Sequence, residues 1–203
     1  MLRAARFASQ LGFSVDEQAL AAMTAMAERI EIVSAERIRD ELDKLLCGTY
    51  PREGLRLLVE TGLAAHVLPE LPKLRLEIDE HHRHKDVYEH SLTVLDQAIA
   101  QEEDGKPDRI LRWAALLHDI GKPKTRRHEV GGRVSFHHHE VVGAQMTKKR
   151  MTELKFPKDV VADVSRLVEL HLRFHGYGTG SGPTAPCAAT CATPATCSTG
   201  CTS

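Results

Sequence analysis

The sequence predicts an all-α protein made of two consecutive helical blocks and a tail that joins neither. Three observations carry this prediction. Apolar residues recur at helical spacing along most of the chain. Aromatic residues make up only 4% of it, while Ala and Leu are plentiful, a composition that favours helix over sheet. After Tyr177 the character changes: residues 178–203 contain no charged side chain, no Leu, Ile or Val, and no aromatic.

In the first block, residues 1–76, Ser14-Val15-Asp16-Glu17 has the form of a capping box, with Ser14 and Glu17 placed to satisfy the first open amides of a helix. Leu20, Met23, Ala27 and Ile30 then fall on one face. Ser34 is placed to cap the next helix, whose stripe is Ile38, Leu42, Leu45 and Leu46. Pro51 opens a third helix through Leu55, Leu58 and Val59, and Gly62 closes it. Pro69 and Pro72 mark a connector, and the polar run Glu77 to Lys85 reads as an exposed loop.

The second block covers residues 77–177. Val87, Leu92, Leu95 and Ile99 line one helix, broken at Gly105-Lys106-Pro107. Ile110 to His118 forms a strongly apolar helix stopped by Gly121 and Pro123. Gly131-Gly132 is a turn, Arg133 to Phe136 is extended, and helices are expected over 139–153 and 158–173. The last of these buries Val161, Val164, Val168 and Leu172.

With 203 residues the chain can bury a real core. Its 27 basic and 28 acidic residues balance, so any nucleic-acid binding must come from local patches. No apolar run approaches the roughly 20 residues of a membrane span. The N-terminus lacks the apolar segment of a secretion signal, so a cytoplasmic protein with no membrane partner is expected. Cys47 stands alone in a helical stretch as an inert thiol. Cys187, Cys191, Cys197 and Cys201 crowd the tail, but their spacing is not that of zinc knuckles, and no apolar residue there supports a fold. The composition predicts a disordered tail. It also suits out-of-frame translation of GC-rich coding sequence, an idea that an uninterrupted reading frame shared with related genes would refute.

Chemistry concentrates at His118-Asp119-Ile120-Gly121-Lys122. A His followed by an Asp at the end of an apolar run sets an imidazole beside a carboxylate, which suits a divalent cation better than a core. His90, His118 and Asp119 are the candidate metal ligands. Asp119, Lys122 and His139 are the candidate catalytic residues, with His171 as a further ligand or acid–base group. Lys122, Arg126 and Arg127 are candidates to meet phosphate or RNA. His81, His82 and His84 sit in a polar stretch and read as solvated. Of His137, His138 and His139, one is expected to face inward. His139-Glu140 is not a zinc-protease helix, because Gly143 stands where the second His would be. Lys148-Lys149-Arg150 reads as a solvated face and a weaker phosphate contact.

His90 with His118-Asp119 and Ile120-Gly121-Lys122 resembles the HD superfamily of metal-dependent phosphohydrolases. Arg3-Ala4-Ala5-Arg6-Phe7-Ala8, Leu11-Gly12-Phe13 and Glu36-Arg37-Ile38-Arg39-Asp40-Glu41-Leu42 resemble the neck and body of bacterial tRNA CCA-adding nucleotidyltransferases and related poly(A) polymerases. The resemblance covers residues 1 to 177. It implies a tRNA or other RNA 3′ end as partner and a divalent metal, one of Mg, Mn, Ni, Co, Fe or Zn. It also implies hydrolysis of a small phosphoester or nucleotide. That family's catalytic head carries a Gly-rich loop, an Asp-x-Asp metal pair and an Arg-Arg-Asp segment, none of which occurs here. The chain is therefore expected not to add nucleotides, which incorporation of labelled CMP or AMP into tRNA would overturn. The resemblance also implies a last metal-ligand Asp beyond Tyr177, where the cysteine-threonine tail stands instead. The alternatives are a non-enzymatic helical RNA-binding fragment with an inert HD motif, or a stand-alone HD nucleotide phosphohydrolase.

Overall fold

The computed structural model describes residues 1–75, 77–80, 83–103, 105–128 and 134–174. The expectations for His81, His82, Gly131-Gly132 and the 178–203 tail fall outside these residues.

The fold is all-α. Helix α1 (Leu2–Leu11) packs against α3 (Ala35–Leu46) and α4 (Pro51–Glu60). It can approach them closely because its buried face is small, consisting of Ala5, Ala8 and Ser9 after Leu2. At Gly54 of α4 a Cβ would lie 2.8 Å from the Ala5 carbonyl oxygen and 2.9 Å from Ser9 Cβ, so only glycine fits. Helix α2 (Glu17–Ala25) gives way to a 3-10 segment, Ala27–Ile32, that still buries Ala27 and Ile30. Gly62, at φ 76°, ends α4 and leads into α5 (Leu63–Val67).

The second half contains α6 (Val87–Ile99), α7 (Arg109–Leu117), the one-turn α8 (Lys122–Thr125), α9 (His139–Glu153) and α10 (Lys158–Leu170). Helix α10 lies on α9 and α7 through Val161, Val164 and Val168. One apolar core runs through both halves, from Leu2 to Val168.

A polar joint ties the halves together. Arg112 of α7 is 4% exposed. Its Nη1 donates to the carbonyls of Leu46 (2.8 Å) and Gly48 (2.7 Å), and its Nε and Nη2 grip the Glu102 carboxylate at 2.6 Å each. Beside it Trp113 Nε1 donates to Asp43 Oδ1 at 3.0 Å. Arg52 of α4 reaches Glu89 and Asp96 of α6. Cys47, half-buried near this joint, has its thiol pushed up to about 11 by burial, with Asp43 adding to it.

Three local expectations are corrected. The N-cap of α2 is Asp16, whose carboxylate accepts from the Gln18 amide at 2.9 Å. A carboxylate suits a helix start electrostatically, and Glu17, at the first helical position, is not the residue a capping box needs. Within the run read as a loop, β1 (Glu77–Glu80) pairs antiparallel with β2 (Arg83–Asp86), which satisfies backbone groups that no helix takes up. A second small sheet pairs β3 (Arg127–His128) with β4 (Val134–Ser135). The helix expected over Ile110 to His118 does end ahead of Gly121 and Pro123, at Leu117; Pro123 itself sits in the first turn of α8, where its missing N–H costs nothing. Leu172 is 39% exposed rather than buried. Among the described residues no helix is long and apolar enough to cross a membrane.

Candidate metal centre

Five elements converge on Asp119. His90 lies on the flank of α6, whose buried face is Val87, Ser91, Leu92 and Leu95. His118 caps the C-terminus of α7, Asp119 follows it in the turn, and Lys122 opens α8. His139 is the first residue of α9, and His171 caps α10. The turn fits only because residue 121 is glycine: a Cβ there would fall on the His139 carbonyl oxygen. Before α9, His138 takes φ 61°, a left-handed conformation in which His is over-represented.

The distances around Asp119 are short. Its Oδ2 lies 3.1 Å from His118 Nε2, 2.9 Å from Lys122 Nζ and 3.9 Å from His90 Nε2. Its Oδ1 lies 3.3 Å from His139 Nε2 and 3.8 Å from His171 Nε2. Two donor sets follow, each with ligand atoms within 4.8 Å of one another: His90, His118 and Asp119, and Asp119, His139 and His171.

The tautomers decide what this cluster wants. His118 Nδ1 donates to the Ala115 carbonyl (2.8 Å), His139 Nδ1 to that of Phe136 (2.8 Å) and His171 Nδ1 to that of Val168 (2.6 Å). A carbonyl only accepts, so each Nδ1 carries a hydrogen, and each neutral ring turns a lone pair inward at Nε2. Lone pairs then face lone pairs: His139 Nε2 stands 3.2 Å from His171 Nε2, and His118 Nε2 faces a carboxylate oxygen. Asp119 Oδ2 is buried with no hydrogen bond of good geometry. Lys122 Nζ compensates Oδ2 from one side, and a further cation among the imidazoles, a proton or a metal ion, removes the remaining repulsion. Backbone carbonyls that fix the outer ring nitrogen are also how metal-binding histidines are held in register. The donor set therefore fits a divalent ion, and its mix of imidazole and carboxylate admits several metals.

Electrostatics agree. Burial alone would raise the Asp119 carboxyl, but His118 and His139, which donate to it once protonated at Nε2, and the Lys122 charge hold it well below the usual carboxylate range. Burial would lower His139, yet its bonds to Asp119 and Phe136 leave it raised. His171 is lowered, chiefly by burial.

The cluster lines a pocket of about 500 Å³, within the usual range for small ligands. Its wall brings together His90, His118, Asp119, Lys122 and His139, all expected from the sequence, with His171 beside them. Arg126 and Arg127 are not among its lining residues; Arg126 is half-buried and Arg127 is exposed on β3. Of the histidine triplet, His139 is buried while His137 and His138 are exposed. The sequence did not point to Ser135, whose hydroxyl is buried without a partner, or to Val134. A short polar-flanked strand gives no signal of its own there. A larger hollow of about 720 Å³ lies on α9 and α10, but its lining carries no histidine, so volume alone does not mark the chemistry.

Comparison with known proteins fits this geometry. The HD domain family matches residues 87–190, which includes every ligand candidate. The chain belongs to the HD-domain family. A second family, described as the probable RNA and SrmB-binding site of polymerase A, matches residues 12–74. The A-adding tRNA nucleotidyltransferase of Deinococcus radiodurans is 39% identical over 176 residues, 84% of this chain and 40% of that protein. The CC-adding tRNA nucleotidyltransferase of Thermus thermophilus is 34% identical over 177 residues, again 84% and 40%. A multifunctional CCA protein of Azoarcus sp. is 36% identical over 166 residues, 78% of this chain and 38% of its own length. The chain spans about 40% of the length of these curated relatives.

Proposed function

We propose that the Asp119 centre holds a divalent cation and hydrolyses a phosphoester, and that the helices of residues 12–74 contact RNA, a tRNA 3′ end being the preferred partner. The observation that carries the proposal is the inward convergence of carbonyl-locked imidazoles on one buried carboxylate. His90, His118 and Asp119 would hold the ion. When bound, it would polarise a phosphoryl oxygen and make a water more acidic. The protein's own groups supply the rest. Lys122, with 17% of its side chain exposed, presents positive charge at the pocket wall to phosphoryl oxygens. His139, whose Nε2 lies 3.3 Å from Asp119 Oδ1, is oriented to take up and pass a proton at Nε2, with His171 as its neighbour. The pocket's size and polarity suit a nucleotide 2′,3′-cyclic phosphate or a 2′-nucleotide.

The test is equilibrium dialysis against Mg, Mn, Ni, Co, Fe and Zn with elemental analysis, followed by turnover of those substrates and tRNA binding at stated salt. Bound metal that disappears in His118→Ala, together with turnover that disappears with it, is the expected result. Intact substrates with metal-loaded protein, and bound metal unchanged in His118→Ala, would sink the hydrolase proposal. Absence of tRNA binding would sink the RNA half separately.

A further inference from the structure

We infer that the hollow where the end of the 12–74 segment meets α8 and α9 is a docking surface for an RNA phosphate backbone. The inference presupposes RNA as the partner and adds where that partner lies. Lys73, Lys124 and Lys149 line a single hollow of about 160 Å³, and all three are exposed. The acidic residues beside them are already compensated: Arg150 Nε sits 3.0 Å from Glu70 and its Nη1 2.9 Å from Glu153. Lys149 has only a long contact to Glu153, at 4.0 Å. Among the described residues Lys73 and Lys124 have no ion pair.

Size selects the class of partner. The hollow is smaller than the roughly 300–1,000 Å³ of pockets that enclose a small ligand. A polymer lying across it needs no enclosure, only a row of cations at its phosphates. The lysines come from three separate stretches of chain, so none of them stands out as a run in the sequence. Of Lys148-Lys149-Arg150, only Lys149 presents an exposed amine here, since Lys148 faces the separate hollow on α9 and α10 and Arg150 is spent on its carboxylates. Helix α8 links the surface to the centre: Lys122 lines the Asp119 pocket and Lys124 lines the hollow. A backbone held here would run past the mouth of the metal centre.

The test is binding of a fluorescent single-stranded RNA of about 20 nucleotides to the full chain across a salt series. The triple variant Lys73→Ala, Lys124→Ala, Lys149→Ala is compared with the parent and with Lys148→Ala, Lys158→Ala on the other face. Thermal melts confirm that each is folded. The triple variant is expected to bind at least tenfold more weakly at low salt. Its plot of log affinity against log salt should be shallower by about 2, from about 0.7 per lost lysine contact on single strands. The control pair should match the parent. A triple variant that binds like the parent overturns the surface while leaving RNA as the partner. A parent that shows no salt-dependent RNA binding overturns both.

Discussion

The Arg112–Glu102 joint and the Asp119 centre are both buried charged assemblies, and they are finished to different degrees. At the Arg112–Glu102 joint donors meet acceptors throughout: the guanidinium serves both carboxylate oxygens and two helix-end carbonyls, and Glu102 also accepts from the Asp108 amide. At Asp119 the Lys122 amine serves one carboxylate oxygen, but the imidazoles bring acceptors to acceptors, with Nε2 lone pairs turned toward the carboxylate and toward one another. The joint resembles completed architecture, whereas the centre has the electrostatic shape of a cation-binding site. A buried polar cluster is thus read better by its mismatches than by its charge.

The largest expected effect tests the finished side. Arg112→Ala strips the Glu102 carboxylate and the Leu46 and Gly48 carbonyls of their partner, which should cost about 3–5 kcal/mol in denaturant unfolding. Bound cation per folded molecule should not change. A folded Arg112→Ala protein that no longer takes up metal would break the separation between the two assemblies. The joint also predicts an acid limb. The Arg112 hydrogen bond holds Glu102 below its ordinary value of 4.5, against the upward push of burial. Its stabilisation is therefore complete above about pH 4.5 and fades as pH falls through the lower folded value. Arg112→Ala should flatten that part of the stability–pH curve.

Next is the unfinished side. A ligand present at about a hundred times its dissociation constant stabilises the folded state by about 2.7 kcal/mol. The parent should therefore melt several degrees higher with the preferred divalent cation than with chelator. Asp119→Asn, which keeps the shape and removes the charge, should abolish that difference. An Asp119→Asn protein with the full cation-dependent rise would show that the carboxylate is not the ligand.

How far the centre was legible depends on sequence separation. His118, Asp119 and Lys122 were readable because neighbours within a turn are neighbours in space. His139 was readable as the start of a helix that the structure reproduces over His139–Glu153. That His90, His139 and His171 turn toward one carboxylate is tertiary, and for His139 and His171 it rests on the i−3 carbonyls of Phe136 and Val168, whose role no spacing reveals. The Arg112 joint had a faint signal, one charged residue inside the apolar stretch Ile110 to Leu117, but its partners Leu46 and Gly48 are more than sixty residues away. The pair of strands β1 and β2 was misread because its polar residues lack the alternation that marks a half-buried sheet. The helix start at Asp16 was misplaced because Ser14 and Asp16 compete for the same role, and the carboxylate wins.

A smaller effect tests how tightly the centre is built. In Gly121→Ala the new methyl would collide with the His139 carbonyl and crowd the Gly143 amide at 2.8 Å. Overpacking of this kind costs about 1–3 kcal/mol. Because the collision is with the first residue of α9, relief should move His139 away from Asp119 and weaken cation binding along with stability. A variant that loses stability but keeps parental cation affinity would place the strain elsewhere than at the ligand.

The smallest effect is the most discriminating, because it asks whether Lys122 and the cation perform the same task. Both offer positive charge to the Asp119 carboxylate, Lys122 from 2.9 Å at Oδ2. Without divalent cation, Lys122→Met should cost about 1 kcal/mol, since it removes a partly exposed partner from a buried carboxylate. With saturating cation the same substitution should cost less, because the carboxylate is then already compensated. The quantity to read is the coupling between substitution and cation, from four unfolding curves treated as a double-mutant cycle. A cost independent of cation would mean that Lys122 stabilises the turn by packing alone, for instance through its approach to the Phe136 ring at 5.7 Å. The Asp119 centre would then be closer to finished than its facing lone pairs indicate.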